Sequence, residues 1–463
     1  MLTGIRLRAY PTEHQKLILS QWMGCARFIW NAKCDEDKYY RGFARKFTPY
    51  NHYYETQDQK YSHFKSNELS SWLAKCPSTI QKNSTVNWFN TLKKSIKGVC
   101  GRPRRKKKSD KGSVHLTSDL FEFRVENNKR KLFIGGKKFN IGALNFKAHA
   151  EFKEPKSIHI SKEHGQYFIG FCYKDDVEIA EFDGKKFNAD KYSEKHLKRL
   201  RDMNEEQLQK VVVGIDRGVT IPVHAGHEQF DFSKEQKNHL SKADRYIKRL
   251  QKRLARQVKG SNRRAKIKHR LAVHHAKKAN IRKDFAHKTS RSLANGFGQV
   301  FIFEKLNTKQ MTKKPNPKKD EFGRFIPNKA KAKAGLNKAI LNVGWHRISE
   351  FLKYKSVKLG KAVFTVHASY TSQECASCGH THPDNRKSQD RFNCVSCGHA
   401  DNADHNASIV IKNRAIKLVL DCGTQLDGNY LSSSGRGGVR KTTRGVKTSF
   451  RSTVEASKEM CAT

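Results

Sequence analysis

Two Cys-x2-Cys pairs, Cys375/Cys378 and Cys394/Cys397, stand fifteen residues apart in this 463-residue chain. A Cys-x2-Cys turn places two thiolates to share one tetrahedral metal, and two such turns close a four-sulfur site. Gly379 and Gly398 follow the pairs, where a knuckle turn asks for positive φ. Four thiolates leave no open coordination position, so the expected occupant is one structural zinc ion. A redox role for either pair is the competing reading. His380, His382 and His399 lie close by and, beside four sulfurs, read as surface residues. The other seven cysteines are scattered, as free thiols in a reducing compartment are.

Charge narrows the partner. The chain carries 93 Lys+Arg against 43 Asp+Glu, a formal net charge of +50. Such an excess repels itself unless a polyanion neutralises it, and each neutralised phosphate releases counterions. Nucleic acid is therefore the expected partner. A basic tail on an ordinary soluble protein does not fit, because the basic residues run along most of the chain. No basic amphipathic segment has the large apolar face a membrane surface needs. No apolar run approaches the ~20 residues of a span, and Met1 to Gln15 holds no signal core. The expected location is inside the cell, with no membrane partner.

At this length two to four domains are expected. Ile5, Leu7 and Ala9 alternate as a short strand. Leu17, Trp22, Cys25, Phe28 and Ile29 then recur at helical spacing to about Ala32, and further helical stretches cover roughly 35–46, 65–75 and 83–98. Arg104, Arg105 and Lys106 lie in a basic cluster that reads equally as solvated loop or phosphate contact. From 113 to 213 short apolar runs separated by Gly-containing turns suggest a small barrel, with 183–210 a polar loop and surface helix. The run 211–215 reads as a strand buried on both faces. Two basic helices follow over 235–292, then the strand 300–303, a Lys-, Pro- and Asn-rich loop over 309–333, a helix over 335–354 and a strand over 362–366.

Three acids stand at element ends. Asp216 follows the strand 211–215, Glu304 follows 300–303, and Asp404 opens an apparent helix over 406–411. Carboxylates at the ends of buried strands are costly unless cations pair them. If the three converge, they make a hard oxygen site suited to two Mg²⁺ ions and phosphodiester hydrolysis. Taken singly, each acid reads as well as a cap or a surface residue.

The motifs together resemble TnpB, the transposon-encoded nuclease family ancestral to type V CRISPR effectors. The resemblance rests on Arg8-Ala-Tyr-Pro through Phe28-Ile-Trp-Asn, Gly214-Ile-Asp-Arg-Gly, Asn280-x-Arg-x-Asp284 and Phe303-Glu-Lys-Leu-Asn. Asn342-Val-Gly-Trp345, Tyr370-Thr-Ser-Gln-Glu-Cys, Phe392-Asn-Cys and Ala403-Asp-His-Asn-Ala complete it. It implies a multidomain α+β protein: a β-barrel wedge domain (1–10 and 113–210) interrupted by a helical recognition domain (11–112). A ribonuclease H-like RuvC nuclease (211–370 and 400–430) with an inserted zinc ribbon (371–399) would follow, while composition alone reads 431–463 as a disordered basic tail. It implies Asp216, Glu304 and Asp404 as catalytic Mg²⁺ ligands and Cys375, Cys378, Cys394 and Cys397 as zinc ligands. The expected activity is RNA-guided cleavage of double-stranded DNA beside a short adjacent motif, by a monomer carrying its guide RNA. Tyr370 and Arg391, with Arg104, Arg105 and Lys106, are candidate nucleic-acid contacts.

Two departures stand out. Lys305 replaces the family's usual acid after Glu304, and Asn406-Ala-Ser-Ile-Val-Ile stands where relatives more often have two alanines and then Asn-Ile. Neither touches an expected ligand. A compact type V CRISPR effector shares the same chemistry and is the alternative reading. A guided repressor without cleavage, whose relatives have lost triad acids, and a transposase proper are the others.

Overall fold

A computed structural model describes residues 2–42, 59–66, 68–108, 111–126, 128–136, 139–174, 188–421 and 423–433. Expectations for 43–46, 183–187, Cys422, Cys461 and the 434–463 part of the tail lie outside these residues. The chain divides into two compact units, Met1–Glu178 and Ile179–Thr463.

In the first unit, β1 (Leu2–Tyr10) buries Leu7 and Ala9 and turns Arg6 outward. Thr12 and Gln15 cap α1 (Glu13–Gly42) reciprocally: Gln15 N donates to Thr12 Oγ1 (3.3 Å) and Thr12 N to Gln15 Oε1 (3.1 Å). The helix runs past Ala32, and Leu17 and Phe28 lie exposed while Leu19, Trp22, Cys25 and Ile29 are buried. Helical spacing marks a stripe but not its flanks. After α2 (Ser78–Ile96) come β2 (Gly112–Thr117), β3 (Phe121–Glu126), β4 (Lys129–Gly135), β5 (Asn140–Lys147), β6 (Ser157–Glu163) and β7 (Gln166–Lys174). The seven strands form one antiparallel sheet in the order β2-β6-β7-β1-β5-β4-β3. Its edge strands β2 and β3 are joined through the single turn Ser118–Leu120, so the sheet curls on itself. One core runs through sheet and helices: Leu7, Leu116, Leu132 and Ile160 pack with Leu19, Trp22 and Ile80.

The second unit opens with α3 (Ala189–Arg201) and α4 (Glu205–Val211), then β8 (Val212–Asp216), β9 (Val223–Ala225) and β10 (Glu228–Phe230). The basic hairpin α5 (Lys234–Ala255) and α6 (Asn262–Asn295) leads to β11 (Val300–Glu304). Next come α7 (Thr308–Met311), the short strands β12 (Lys318–Lys319) and β13 (Phe325–Ile326), α8 (Ala330–Val343), α9 (Trp345–Lys358) and β14 (Ala362–Val366). The cysteine module holds β15 (Arg391–Asn393) and β16 (Ala400–Asn402), and α10 (Ala403–Leu420), β17 (Thr424–Asp427) and β18 (Tyr430–Ser433) follow.

Its main sheet has the order β10-β9-β8-β11-β14-β18-β17; β8, β11, β14 and β18 are parallel, and β9, β10 and β17 are antiparallel to their neighbours. Strand alternation splits β11 between two cores. Val300 and Ile302 join Leu197, Leu208, Ile411 and Ala415 on the face covered by α3, α4 and α10. Phe301 and Phe303 join Phe285, Leu293, Ile348 and Leu352 on the face covered by α6 and α9. A helix layer thus covers each side of the sheet.

Three sequence boundaries move. Residues 189–210, expected with the barrel, pack on this sheet, because Leu197, Leu200 and Leu208 make an apolar stripe in an otherwise charged segment. The helix expected over 335–354 is two helices, broken at Gly344, whose φ of 79° is left-handed. Residues 431–433, expected in the tail, are strand: β18 pairs with β17 and buries Leu431.

Candidate active site

β8 and β11 run parallel with Ile215 beside Phe303, so Asp216 and Glu304 end adjacent strands side by side. Both fall on the alternation that faces α10. Gly214, two residues before Asp216, is where α10 meets the strand: a Cβ there would lie 2.0 Å from Ser408 O and 2.7 Å from Lys412 N. Only glycine allows this approach, and it brings the first turn of α10, with Asp404, to the strand ends. Asn402 caps that turn, its Oδ1 accepting from Asp404 N (3.0 Å) and His405 N (3.2 Å).

The electrostatics record the convergence. Burial, then the charges of Glu304 and Asp404, push the Asp216 carboxyl up to about 7, although it keeps some accessible surface. Burial raises Glu304 against the pull of Arg217, and raises Asp404 against Arg386. Thr371 Oγ1 donates to Glu304 Oε2 at 3.1 Å, and Arg386 Nη2 lies 3.4 Å from Asp404 Oδ1. The Arg217 guanidinium sits over the Phe303 ring (5.0 Å) and donates to the Glu304 carbonyl, while its buried Nε has no partner among the described residues. Three acids held at raised proton affinity are a donor set short of positive charge. Hard oxygens of this kind fit a divalent cation such as Mg²⁺.

The four cysteines come together. Their sulfurs all lie within 4.8 Å of one another, with Cys375–Cys397 at 3.7 Å and Cys378–Cys394 at 3.6 Å. Tetrahedral Zn–S bonds of 2.3 Å put sulfurs ~3.8 Å apart, so the set fits one such ion. The two knuckles repeat each other: Cys375 N donates to His380 O (3.0 Å) as Cys394 N does to His399 O (2.9 Å), and Gly379 and Gly398 both take φ of 73°. The Cys397 backbone N–H leads in holding the Cys394 thiol down at about 6. Burial pushes Cys375 up, opposed by the N–H groups of Cys378 and Ser377. The module is tied to α10, with Ala376 N donating to Asn406 Oδ1 (2.9 Å) and Asn406 Nδ2 to Glu374 O (2.8 Å). It also supplies Arg386 to the acids.

The expected nucleic-acid contacts are divided between the two units. In the first unit, residues 104–106 are strapped along α1: Trp30 Nε1 donates to Arg104 O (2.9 Å), Arg105 pairs with Asp35, and Lys106 lies 3.6 Å over the Trp30 ring. In the second, Tyr370 is 65% exposed at a φ of 61°, directly before Thr371, and Arg391 is exposed on β15. Sequence reasoning missed Arg217, Thr371 and Arg386. The first two sit inside quoted motifs and had a signal. Arg386 lies in the spacer between the cysteine pairs, which reads as variable loop.

Three family models match in chain order. The HTH_OrfB_IS605 "Helix-turn-helix domain" covers residues 1–40, which here form a strand and one helix; the OrfB_IS605 "Probable transposase" covers 190–314, and the Cas12f1-like TNB domain covers 345–411. A relative from Escherichia coli (strain K12), InsQ, provisionally named an RNA-guided DNA endonuclease, is 25% identical over 424 residues, 91% of this chain and 94% of its own. One from Streptomyces pristinaespiralis, with the same provisional name, is 22% identical over 384 residues, 81% of this chain and 80% of its own. The fold is similar to the protein in a Cas12f1–sgRNA–target DNA complex, at TM-score 0.51 and 12% identity, covering 90% of this chain and 99% of that one. No described helix is long and apolar enough to cross a membrane. With these models in order along its length and both relatives matching over most of theirs, the resemblance of the chain to the TnpB family is supported.

Proposed function

We propose that this chain is an RNA-guided DNA endonuclease associated with a transposable element, cutting double-stranded DNA beside a short adjacent motif. The observation that carries the reading is the convergence of Asp216, Glu304 and Asp404, with the Asp216 carboxyl pushed to about 7 by burial and its acidic neighbours. The provisional names of the two relatives agree with it. The strand order β10-β9-β8-β11-β14, antiparallel at one end and parallel at the other, supports a ribonuclease H-like nuclease. The curled sheet supports a wedge barrel, with α1 and α2 as the recognition helices.

Asp216, Glu304 and Asp404 would hold two Mg²⁺ ions, and Cys375, Cys378, Cys394 and Cys397 one structural Zn²⁺. Bound magnesium would activate water and offset charge on the scissile phosphate. Thr371 fixes the Glu304 carboxylate, and Asn402 fixes the helix turn that carries Asp404. Arg386 adds preorganised positive charge beside that turn, where phosphate charge develops. Tyr370, Arg391, Arg104, Arg105 and Lys106 contact nucleic acid in this reading, and the protein works as a monomer with its RNA in a prokaryotic cytoplasm. Purifying the protein from cells carrying its native locus and sequencing the bound RNA tests the guided part. One discrete RNA is expected; a random mixture, or none, would overturn it.

A further inference from the structure

Between β11 and α9 the second unit carries an arm rooted at the acids. Leu306, two residues after Glu304, packs with Met311, Ile340, Val343 and Trp345, and Trp345 Nε1 donates to Gly218 O (3.0 Å), two residues after Asp216. From this root α8 extends 14 residues, about 21 Å at 1.5 Å per residue. Asn337 Nδ2 ties it to Thr312 O (2.9 Å), and Asn328 Nδ2 bonds Asn316 O (2.9 Å). At the far end, β12 and β13 pair as Lys319–Phe325 and Lys318–Ile326. The turn between them is locked by Asp320, whose Oδ1 accepts from Phe322 N (3.1 Å) and Arg324 N (2.7 Å).

This ordered hairpin presents apolar side chains to solvent. Phe322 is 85% exposed, Phe325 73% and Ile326 42%. Isolated exposed apolar residues need no explanation, but two phenylalanines and an isoleucine on one tight hairpin do. The surrounding charge selects the occupant. Residues 309–333 hold nine Lys and Arg against Asp320 and Glu321, and Lys319 Nζ lies 5.1 Å over the Phe325 ring. A protein surface apolar enough to cover the rings would leave those cations unpaired. A single nucleic-acid strand answers both features, because its phosphates pair the lysines while its unpaired bases stack on the rings.

We propose that the Phe322/Phe325 hairpin is a stacking platform for unpaired DNA bases, holding the single strand that the acids cut. The assignment rests on the endonuclease reading for its strand, but its test does not need cleavage. Full-length protein carrying Asp216→Ala is mixed with a single-stranded oligodeoxynucleotide containing 5-iododeoxyuridine, irradiated, digested and mapped by mass spectrometry. A cross-link to the peptide holding Phe322 and Phe325 is expected, and its absence there, with cross-links elsewhere, overturns the platform. In the same background, Phe322→Ala/Phe325→Ala should weaken single-strand binding about tenfold or more, given ~1–3 kcal/mol per stacked base. Single-strand affinity equal to the parent's, or an equal loss on duplex DNA, overturns it. Both residues are exposed, so an unchanged melting temperature checks folding. Guided cleavage by the unmodified protein is scored separately. Its failure, with the cross-link present, sinks the endonuclease reading and leaves the platform standing.

Discussion

At Asp216 the carboxyl proton is held up to about 7 by burial, Glu304 and Asp404, while an unfolded aspartate titrates near 3.9. A group with a raised folded value stabilises fully below its unfolded pKa and loses that contribution as pH rises through the folded one. The metal-free protein should therefore lose stability between about pH 4 and 7, and a bound divalent cation should restore it above pH 7. Melting curves with and without Mg²⁺ check this. The magnesium-induced rise in melting temperature should be larger at pH 8 than at pH 5 and should shrink in Asp216→Asn. An equal rise at both pH values would contradict the assignment. The acids were legible because each follows an apolar run or opens a helix. Thr371 sat in a motif that could have flagged it, but Arg386 was not legible, since it lies in the spacer between the cysteine pairs and only the fold brings residue 404 to it.

Among the elements, the contact of α10 with β8 sets the geometry. Gly214→Ala would place a methyl 2.0 Å from Ser408 O, and overpacking of this kind costs ~1–3 kcal/mol. Displacing Asp404 by even ~1 Å should cost cleavage about a hundredfold. A melting shift with cleavage at parental rate would show that α10 need not sit so close. The cysteine module acts on the same helix through Asn406 and on the acids through Arg386. If the four cysteines hold zinc as proposed, chelating it, or Cys394→Ser, should abolish cleavage even when magnesium is saturating; metal content and cleavage are measured on one preparation, and full activity without zinc would refute the coupling. The strands were readable as apolar runs and the cysteine module from spacing alone. Gly344 was not readable as a break, because the apolar pattern continues across it and only its φ of 79° reveals the turn. Nor was the place of α3 and α4, whose few leucines decide their packing amid lysines and arginines.

Over the whole molecule, a charge of +50 on two folded units calls for a polyanion, and affinity for it should fall steeply with salt. The short strands after residue 112, the later parallel strands and the cysteine module were legible from their apolar runs and spacing. The boundary at 178/179 was not, since no composition change marks it. The central claim is that RNA directs the acids to cut DNA. Its most direct measurement is cleavage of a plasmid matching the co-purified RNA, by the unmodified complex and by Asp216→Ala complex of equal RNA content, with magnesium present. Cutting at the matched site by the first, and none by the second, is the expected result. Equal cutting by both, or cutting that ignores the RNA match, would contradict the account.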